Sequence, residues 1–195
     1  MFLYATDFHN GAVDIFDSSF HAVTIPGAFT DPSLPPGFAP FGIQNIGGTI
    51  YVTYALQDDD AEDDVAGGGH GFVDAFDLDG NLLRRVASRG RLNSPWGLAI
   101  APANFGEFST DLLVGSFGDG HIDAFDLEKS QGNGEFQQNG QLHGAGGQPL
   151  AIDGLWAIAF GNGAAAGPDT TLFFTAGPQE ESHGLFGKIN ASRQD

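Results

Sequence analysis

A short pattern that recurs along the chain constrains its fold more than any other feature. "GAVDIFD" occupies residues 11–17, "GFVDAFD" occupies 71–77 and "GHIDAFD" occupies 120–126, and "GLFGKIN" at 184–190 is a weaker fourth copy. After the glycine, apolar and polar residues alternate, which is typical of a half-buried β-strand that follows a turn. The sequence therefore predicts one structural unit that is repeated about four times.

A second pattern lies between these copies. Three segments, the lead segments, each bring an aromatic residue close to glycine: "FAPFGIQNIGG" (38–48), "NSPWGLAIAP" (93–102) and "DGLWAIAFGNG" (153–163). They recur at intervals of about 55 to 60 residues, and about four short strands fit into one interval. Repeats of this kind are typical of β-propeller blades. We therefore predict an all-β fold, a partial or reduced β-propeller of about four blade units, two of them incomplete.

The repeats also predict where the units begin and end. In each unit, strand one comes from the lead segment, strand three from the recurring pattern and strand four from residues such as 81–88, "NLLRRVAS". We expect one propeller domain or propeller fragment, with units at approximately 1–37, 38–92, 93–150 and 151–195. Because incomplete blades expose sheet edges, we expect the chain to close with fewer blades or to form a homodimer that covers them.

Composition excludes several classes of partner. The net charge is −18 and only 7 residues are Lys or Arg, so nucleic acid and anionic membrane surfaces are disfavoured and divalent cations are favoured. The chain has no cysteine, which excludes disulfides and thiolate metal sites. It has no apolar run of about 20 residues and no signal peptide before "MFLYATDF". We therefore expect a cytoplasmic chain as written, whereas related full-length proteins are expected to be secreted.

Three long segments carry a resemblance to a known family. Residues 41–55 ("FGIQNIGGTIYVTYA"), 69–120 and 150–163 ("LAIDGLWAIAFGNG") are similar to an uncharacterised bacterial family of predicted β-propellers, usually secreted or surface-associated. More distantly, the architecture resembles the calcium-dependent propeller lactonases, that is, the gluconolactonase/senescence-marker and paraoxonase groups. The first resemblance brings no established catalytic residues with it. The second implies a calcium ion held by Asn, Asp and Glu side chains from several blades.

The most acidic stretch of the chain is "QDDDAEDDVAGGGHG" (57–71). Its acids alternate like the first ligands of an EF-hand, but Asp63 stands where that loop needs glycine and Gly69 where it needs a bidentate glutamate. The EF-hand is therefore excluded. A looser calcium site and a solvated acidic loop both remain open.

Two residues of the lead segments suggest metal ligands. Asn93 and Asp153 each stand three residues before a tryptophan, and equivalent positions in successive blades point toward the axis of a propeller. Their side chains offer the oxygen ligands that Ca²⁺ takes. We predict Ca²⁺ as the cofactor, with ligands drawn from Asn93, Asp153, Asp119, Asp58, Asp60, Glu62 and Asp64.

Histidines fall in equivalent loops between the second and third strands of the units. One of them could serve as a general base, because the ordinary histidine pKa of about 6.5 lies near working pH. The catalytic candidates are His70, His183 and His121, and the alternative is that each ring bonds only to local backbone. Candidate substrate contacts are Phe38, Phe41, Trp96 and Trp156, although the residues favour packing between blades as the role of the two tryptophans.

These observations lead to two hypotheses of function. The first is a Ca²⁺-dependent hydrolase of lactone-type esters, whose acidic surface favours neutral small molecules such as N-acyl homoserine lactones. The second is a non-catalytic propeller that binds a protein or an extracellular polymer through its acidic face. The chain lacks the G-x-S-x-G, H-E-x-x-H and P-loop motifs, which disfavours serine hydrolases, zincins and P-loop enzymes.

Overall fold

The computed structural model describes residues 1–191, which form thirteen β-strands, a 3-10 turn at Gly106–Phe108 and no α-helix. The strands are β1 (Leu3–Asp7), β2 (Ala12–Phe16), β3 (Phe38–Ile46), β4 (Thr49–Leu56), β5 (Gly71–Phe76), β6 (Leu82–Ser88), β7 (Pro95–Ile100), β8 (Leu112–Ser116), β9 (Ile122–Ser130), β10 (Phe136–Gln141), β11 (Leu155–Phe160), β12 (Thr171–Ala176) and β13 (Leu185–Asn190).

The strands form four sheets whose strand order follows the chain. Strands β3 to β6 and β7 to β10 make two four-stranded sheets, β11 to β13 make a three-stranded sheet, and β1 pairs with β2 alone. The strand pairs whose register the structure gives are all antiparallel. Up-and-down sheets of four strands are the blades of a β-propeller. The predicted all-β fold, with two complete blade units and two incomplete ones, is confirmed.

The chain packs as two compact units, one of Met1–Pro95 and one that begins at Trp96. Strands β1 to β6 belong to the first unit. Its buried core comes from inward-facing residues of the sheets and from the long connection after β2: Ile15, Phe29, Ile50, Val52, Tyr54, Phe72 and Phe76. The single propeller domain expected from the sequence stays a prediction.

The second unit has a core of its own. It lies between the sheet of β7 to β10 and the sheet of β11 to β13, and it includes Leu113, Ile122, Leu155, Leu172, Phe105 and Phe108. Four of these side chains, on β8 to β12, are completely buried. Burial of a leucine or isoleucine side chain contributes about 1.5–3 kcal/mol, so each unit has a substantial apolar contribution to stability.

The aspartate that ends each complete copy of the recurring pattern closes a turn. The Oδ1 atom of Asp77 accepts two hydrogen bonds, from the backbone N–H groups of Asp79 and Asn81, each at 2.9 Å. Asp17 and Asp126 make the same kind of paired contact with the residues that follow them. Hydrogen bonds lower the pKa of all three aspartates, chiefly those from the side chain of Asn81 to Asp77, from the side chain of Lys129 to Asp126 and from the backbone of His21 to Asp17. The repeated sequence therefore encodes a repeated turn.

The aspartate in the middle of the pattern is buried in both complete blade units. Asp74 on β5 is bonded by Arg85 on β6, and Asp123 on β9 accepts the side-chain N–H of Gln138 on β10 at 2.7 Å. Both aspartates have no exposed surface. The fourth strand thus supplies the partner of the buried aspartate on the third strand.

Candidate functional site

In both units, the loop between the second and third strands of a sheet is bonded to the residue just before the next lead segment. In the first unit, Gly69 donates its N–H to the carbonyl of Leu92 at 3.0 Å. In the second unit, Ile152 donates its N–H to the carbonyl of Gly120 at 2.9 Å. The histidine that follows each of these glycines is therefore held beside a lead segment. This is the region where the sequence places the candidate site.

His70 and His121 occupy equivalent positions and make equivalent hydrogen bonds. The Nδ1 atom of His70 lies 2.7 Å from the carbonyl of Val65, and that of His121 lies 2.9 Å from the carbonyl of Leu150. Because a carbonyl oxygen can only accept, Nδ1 must carry the proton in both rings. In the neutral ring, Nε2 then holds the lone pair, which is the tautomer that a general base requires. Both rings are half-buried.

His183 differs from these two histidines. It is exposed, and its Nδ1 atom lies 2.9 Å from the hydroxyl of Ser182. A hydroxyl can donate or accept, so this contact does not fix the tautomer. His9, in the first unit, resembles His70 more closely, because its Nδ1 atom lies 3.1 Å from the carbonyl of Ala61.

Asn93 and Asp153, the two metal ligands predicted in the lead segments, each hold a loop in place by a hydrogen bond. Asn93 is 8% exposed, and its Oδ1 atom accepts the N–H of Gly67 at 2.6 Å. Asp153 is exposed, and its Oδ2 atom accepts the N–H of Gln179 at 2.9 Å. Each oxygen therefore fastens a loop that follows the second strand of a sheet, β4 in one unit and β12 in the other.

The acidic stretch forms a turn around Asp58. The Oδ1 atom of Asp58 accepts the N–H of Glu62 at 3.0 Å, and the Asp58 N–H donates to the carbonyl of Asp63 at 2.9 Å. Ala61 takes a left-handed φ of 56° to close the turn. Asp60 is exposed. Of the two alternatives left open by the sequence, this geometry supports the solvated acidic loop.

A calcium centre does not fit this arrangement as it stands. Within residues 1–191, no three His, Asp or Glu side chains converge on a point where they would hold a metal ion. Asp119 repeats the pattern seen at Asp58, because its Oδ1 atom accepts the N–H of His121 at 3.1 Å. The oxygens of Asn93, Asp153, Asp119 and Asp58 accept backbone N–H groups, whereas a calcium site needs six to eight convergent oxygens. Calcium binding stays a prediction for Asn93, Asp153, Asp119, Asp58, Asp60, Glu62 and Asp64.

The two tryptophans meet in the second unit and form, with Phe117 and Glu181, what we term the tryptophan corner. The rings of Trp96 and Trp156 are perpendicular, with centroids 4.6 Å apart, and the ring of Phe117 lies 4.4 Å from that of Trp156. The indole N–H of Trp156 donates to Oε1 of Glu181 at 2.6 Å. All three rings are half-buried and Glu181 is exposed. The corner therefore combines three half-buried aromatic rings with an exposed glutamate.

The two phenylalanines proposed as substrate contacts lie elsewhere, in the first unit. Phe41 is 7% exposed and packs against Phe8, with centroids 5.0 Å apart, so it belongs to the core. Phe38 is half-buried and lies perpendicular to Phe72, with centroids 4.7 Å apart. A role in binding substrate is therefore not supported for Phe41.

Sequence reasoning did not single out Phe117 and Glu181 as ligand contacts. Both follow the second strand of their sheet, in the same loops as His121 and His183. Their position in the loop after the second strand was the sequence signal that could have identified them. The contact with Trp156 depends on the course of the loop, which no repeat in the sequence encodes.

A cavity of about 590 Å³ lies away from the histidines. It is in the first unit and is lined by Tyr4, Ile43, Ile50, Leu78 and others. These residues lie at the ends of the strands opposite to the loop that carries His70. The cavity is therefore not part of the candidate site.

Comparisons with known proteins place the chain among uncharacterised relatives. No family model matches it. It is 36% identical over 196 residues to one uncharacterised protein of Acanthamoeba polyphaga mimivirus and 34% identical over 199 residues to a second. Each match covers 96% of this chain but only 45% and 48% of the relative, so the chain spans about half the length of the curated relatives it matches. These relatives are viral, whereas the sequence resemblance pointed to a bacterial family.

A solved structure shares the fold. The chain is similar to a gluconolactonase of Xanthomonas campestris, with a TM-score of 0.55 and 18% sequence identity over 97% of this chain and 58% of that one. This likeness agrees with the blade-like sheets described above, and we conclude that the chain has an all-β fold of the β-propeller kind.

Within residues 1–191, the structure has no helix with the length and apolar character of a membrane span.

Proposed function

We propose that this chain belongs to a propeller hydrolase that opens neutral lactone-type esters. The observation that carries the proposal is the equivalent arrangement of His70 and His121, each with Nδ1–H given to a backbone carbonyl and Nε2 left as an acceptor. The likeness in fold to a gluconolactonase supports the reaction class.

The chemistry asked of the histidine is general base catalysis. Its Nε2 atom takes a proton from a water molecule, and the resulting hydroxide attacks the lactone carbonyl carbon. The tetrahedral intermediate then breaks the ring C–O bond, and the histidine returns its proton to the departing alkoxide oxygen. The product is a hydroxy acid. The backbone carbonyl that holds Nδ1–H also stabilises the imidazolium formed in between.

The negative charge of the chain favours neutral substrates over anionic ones. With a net charge of −18 and 7 basic residues, the chain repels anionic lactones and favours neutral ones. The same field favours departure of the product, because hydrolysis creates a carboxylate. Neutral sugar lactones and N-acyl homoserine lactones are therefore the two substrate classes to test first. Trp96 and Trp156, with half-buried rings, stay candidates for substrate contact.

Calcium has no assigned step in this proposal. In the related lactonases that the fold resembles, the metal is expected to polarise the carbonyl and to stabilise the oxyanion. Four of the seven candidate ligands of this chain, Asn93, Asp153, Asp119 and Asp58, instead accept backbone N–H groups. The proposal therefore does not include a calcium requirement, and the assay is run both with and without Ca²⁺.

A pH-stat assay tests the proposal. Chelator-treated protein is incubated with glucono-δ-lactone or a neutral N-acyl homoserine lactone, with and without added Ca²⁺, and acid release is compared with that of heat-unfolded protein. We expect release above the unfolded control for at least one lactone. Release no faster than the control in either metal condition, at micromolar protein, would overturn the proposal.

A second candidate function is binding without catalysis. The exposed acidic turn at 58–64, which is closed on its own backbone, favours it. A surface of this kind suits a basic protein partner or a cationic polymer. A folded protein that binds such a partner and fails the lactone assay would establish this function instead.

A further inference from the structure

We propose that two copies of this chain associate through one end of the first unit, and that Phe20 of each copy enters an apolar cavity of the other. The contact involves neither the candidate histidines nor the hydrolysis of a lactone. Two observations carry the inference. One is an exposed phenylalanine in a backbone conformation that favours glycine, and the other is a cavity at the same end of the same unit.

Phe20 stands where the matching turn of the next sheet has a glycine. In the turn after β2, Phe20 donates its N–H to the carbonyl of Asp17 at 3.0 Å. In the turn after β5, Gly80 donates its N–H to the carbonyl of Asp77 at 3.1 Å. Both residues are left-handed, with φ angles of 63° for Phe20 and 81° for Gly80. The two turns are therefore built alike, but only the second has the residue type that the conformation favours.

Burial does not compensate Phe20 for this conformation, because the residue is 76% exposed. A left-handed φ is unfavourable for a residue that has a Cβ atom, and it is rare for a bulky one. Exposure of a large apolar side chain to water is unfavourable as well. A residue that is unfavourable in both respects for the isolated chain indicates a contact with another molecule.

The cavity of about 590 Å³ lies at the same end of the first unit as Phe20. Leu3 at the start of β1 pairs with Phe16 at the end of β2, so the turn that carries Phe20 follows directly beside the start of β1. Much of the cavity lining is apolar and comes from β1, β3, β4 and the turn after β5: Leu3, Ile43, Ile50 and Leu78. Binding pockets for small molecules measure about 300–1,000 Å³, so a cavity of this size can admit a phenylalanine side chain.

A second copy of the chain is the occupant that this arrangement fits. In a two-fold dimer the same surface of each molecule contacts the other, so the inserted side chain and the cavity that receives it belong to one surface. Phe20 and the cavity lie at one end of one unit and meet this requirement.

The area that such a contact buries predicts a weak dimer. Insertion of one phenylalanine side chain removes about 150–250 Å² from water, and the cavity wall loses a similar area. Two insertions therefore bury roughly 600–1,000 Å², and coverage of Leu3 and Leu78, which are 51% and 52% exposed, adds to this area. Stable specific interfaces begin at about 1,200 Å². We therefore expect a dissociation constant in the micromolar range.

Sedimentation equilibrium of the full chain, from about 5 to 300 µM, tests the association. We expect the mass to rise from 20.4 kDa toward twice that value, with a dissociation constant on the order of 10–100 µM in about 500 mM NaCl. Each copy has a net charge of −18, so repulsion should weaken the dimer at least about threefold in about 50 mM NaCl.

Two variants locate the contact. Phe20→Gly gives the turn after β2 the residue that its counterpart has, so the melting temperature should stay the same or rise, whereas dimerisation should weaken at least about tenfold. Leu78→Asp places a charge at the cavity and should weaken dimerisation by a similar factor. The matched control is Phe186→Ser in the second unit, because Phe186 is 70% exposed, and it should dimerise within about twofold of the parent chain.

Two results would overturn the inference. One is a chain that stays monomeric up to about 300 µM in about 500 mM NaCl, whatever small molecule its cavity binds. The other is a dimer whose dissociation constant Phe20→Gly leaves unchanged, which would place the contact between copies on another surface, such as the sheet edges. The Phe20→Gly comparison does not depend on a destabilised variant, because that substitution relieves the turn.

Discussion

Arg85 on β6 bonds two buried carboxylates at once, because its Nε donates to Asp74 on β5 and its terminal nitrogen donates to Asp31 in the connection after β2. The side chains of Asp74 and Asp31 are 0% and 2% exposed, and that of Arg85 is 15% exposed. One guanidinium therefore fastens the long connection of the first unit to its four-stranded sheet. The remaining charge of the trio is negative, so its protonation should be linked to folding.

The first prediction concerns stability against pH. Burial raises the pKa of Asp74 to about 7, against the influence of Arg85. Between about pH 4 and pH 7 the folded chain thus holds a proton that the unfolded chain has released, and stability falls as pH rises. We expect urea denaturation to show a loss of about 2–4 kcal/mol across this window, which Asp74→Asn removes. The matched control Asp60→Asn, in the exposed acidic turn, should keep the full slope, and an unchanged slope in Asp74→Asn would contradict the assignment.

Asp31 should affect stability in a different pH range from Asp74. Burial tends to raise its pKa, but hydrogen bonds from the backbone and hydroxyl of Ser33 and from Arg85 outweigh burial and hold the pKa below its usual value. The stability that Asp31 contributes is therefore present above the ordinary aspartate pKa and is lost as pH falls below it. As pH falls below the ordinary aspartate pKa, the free energy of unfolding should decrease less steeply in Asp31→Asn than in the parent chain. Asp74→Asn should keep the parental decrease in this pH range.

Removing the guanidinium should be more damaging than removing either acid. Arg85→Leu leaves Asp74 and Asp31 buried without their countercharge, and breaking a buried ion pair in this way typically costs about 3–5 kcal/mol. Arg91, which is exposed, is the matched position, and Arg91→Leu should cost less than about 0.5 kcal/mol. Both values come from chemical denaturation at one pH. A cost below about 1 kcal/mol for Arg85→Leu would show that the network is not a major source of stability.

The fold followed from the sequence because its periodicity is local. The alternation in 71–77 and its copies fixes the strands, and the aspartate that ends each copy caps its own turn. The position of strand β10 was not predicted, because its sequence, FQQNGQ, is largely polar and shows no alternation of apolar and polar residues.

The site was predictable only in part, because its hydrogen bonds join distant segments. The sequence singled out Asn93 and Asp153 as equivalent oxygen donors, and both do serve equivalent purposes. Their partners, Gly67 and Gln179, are backbone N–H groups, which carry no sequence signal. The contact of Glu181 with Trp156 depends on three left-handed residues that no propensity favours.

Gly120 should not tolerate a side chain. It has a φ of 72°, and a Cβ atom there would lie 2.1 Å from the carbonyl oxygen of Ile152. We expect Gly120→Ala to cost more than about 3 kcal/mol, since backbone strain and a backbone clash add. Gly11 has a similar φ of 65° and open space around it, so Gly11→Ala should cost about 1–2 kcal/mol. Equal costs in thermal or urea denaturation would show that the loop moves to admit the methyl group.

The most direct test of the proposed hydrolysis is the rate of neutral lactone opening by the parent chain and by the single variants His70→Gln and His121→Gln. Loss of a general base typically lowers the rate about 10²–10⁴-fold, and we predict such a loss for at least one of the two. His21→Gln is the control, because the His21 side chain is 79% exposed, and its rate should be unchanged. Circular dichroism and urea denaturation confirm that each variant folds. If folded His70→Gln, folded His121→Gln and their double variant all open the lactone at the parental rate, the histidine mechanism proposed here is wrong.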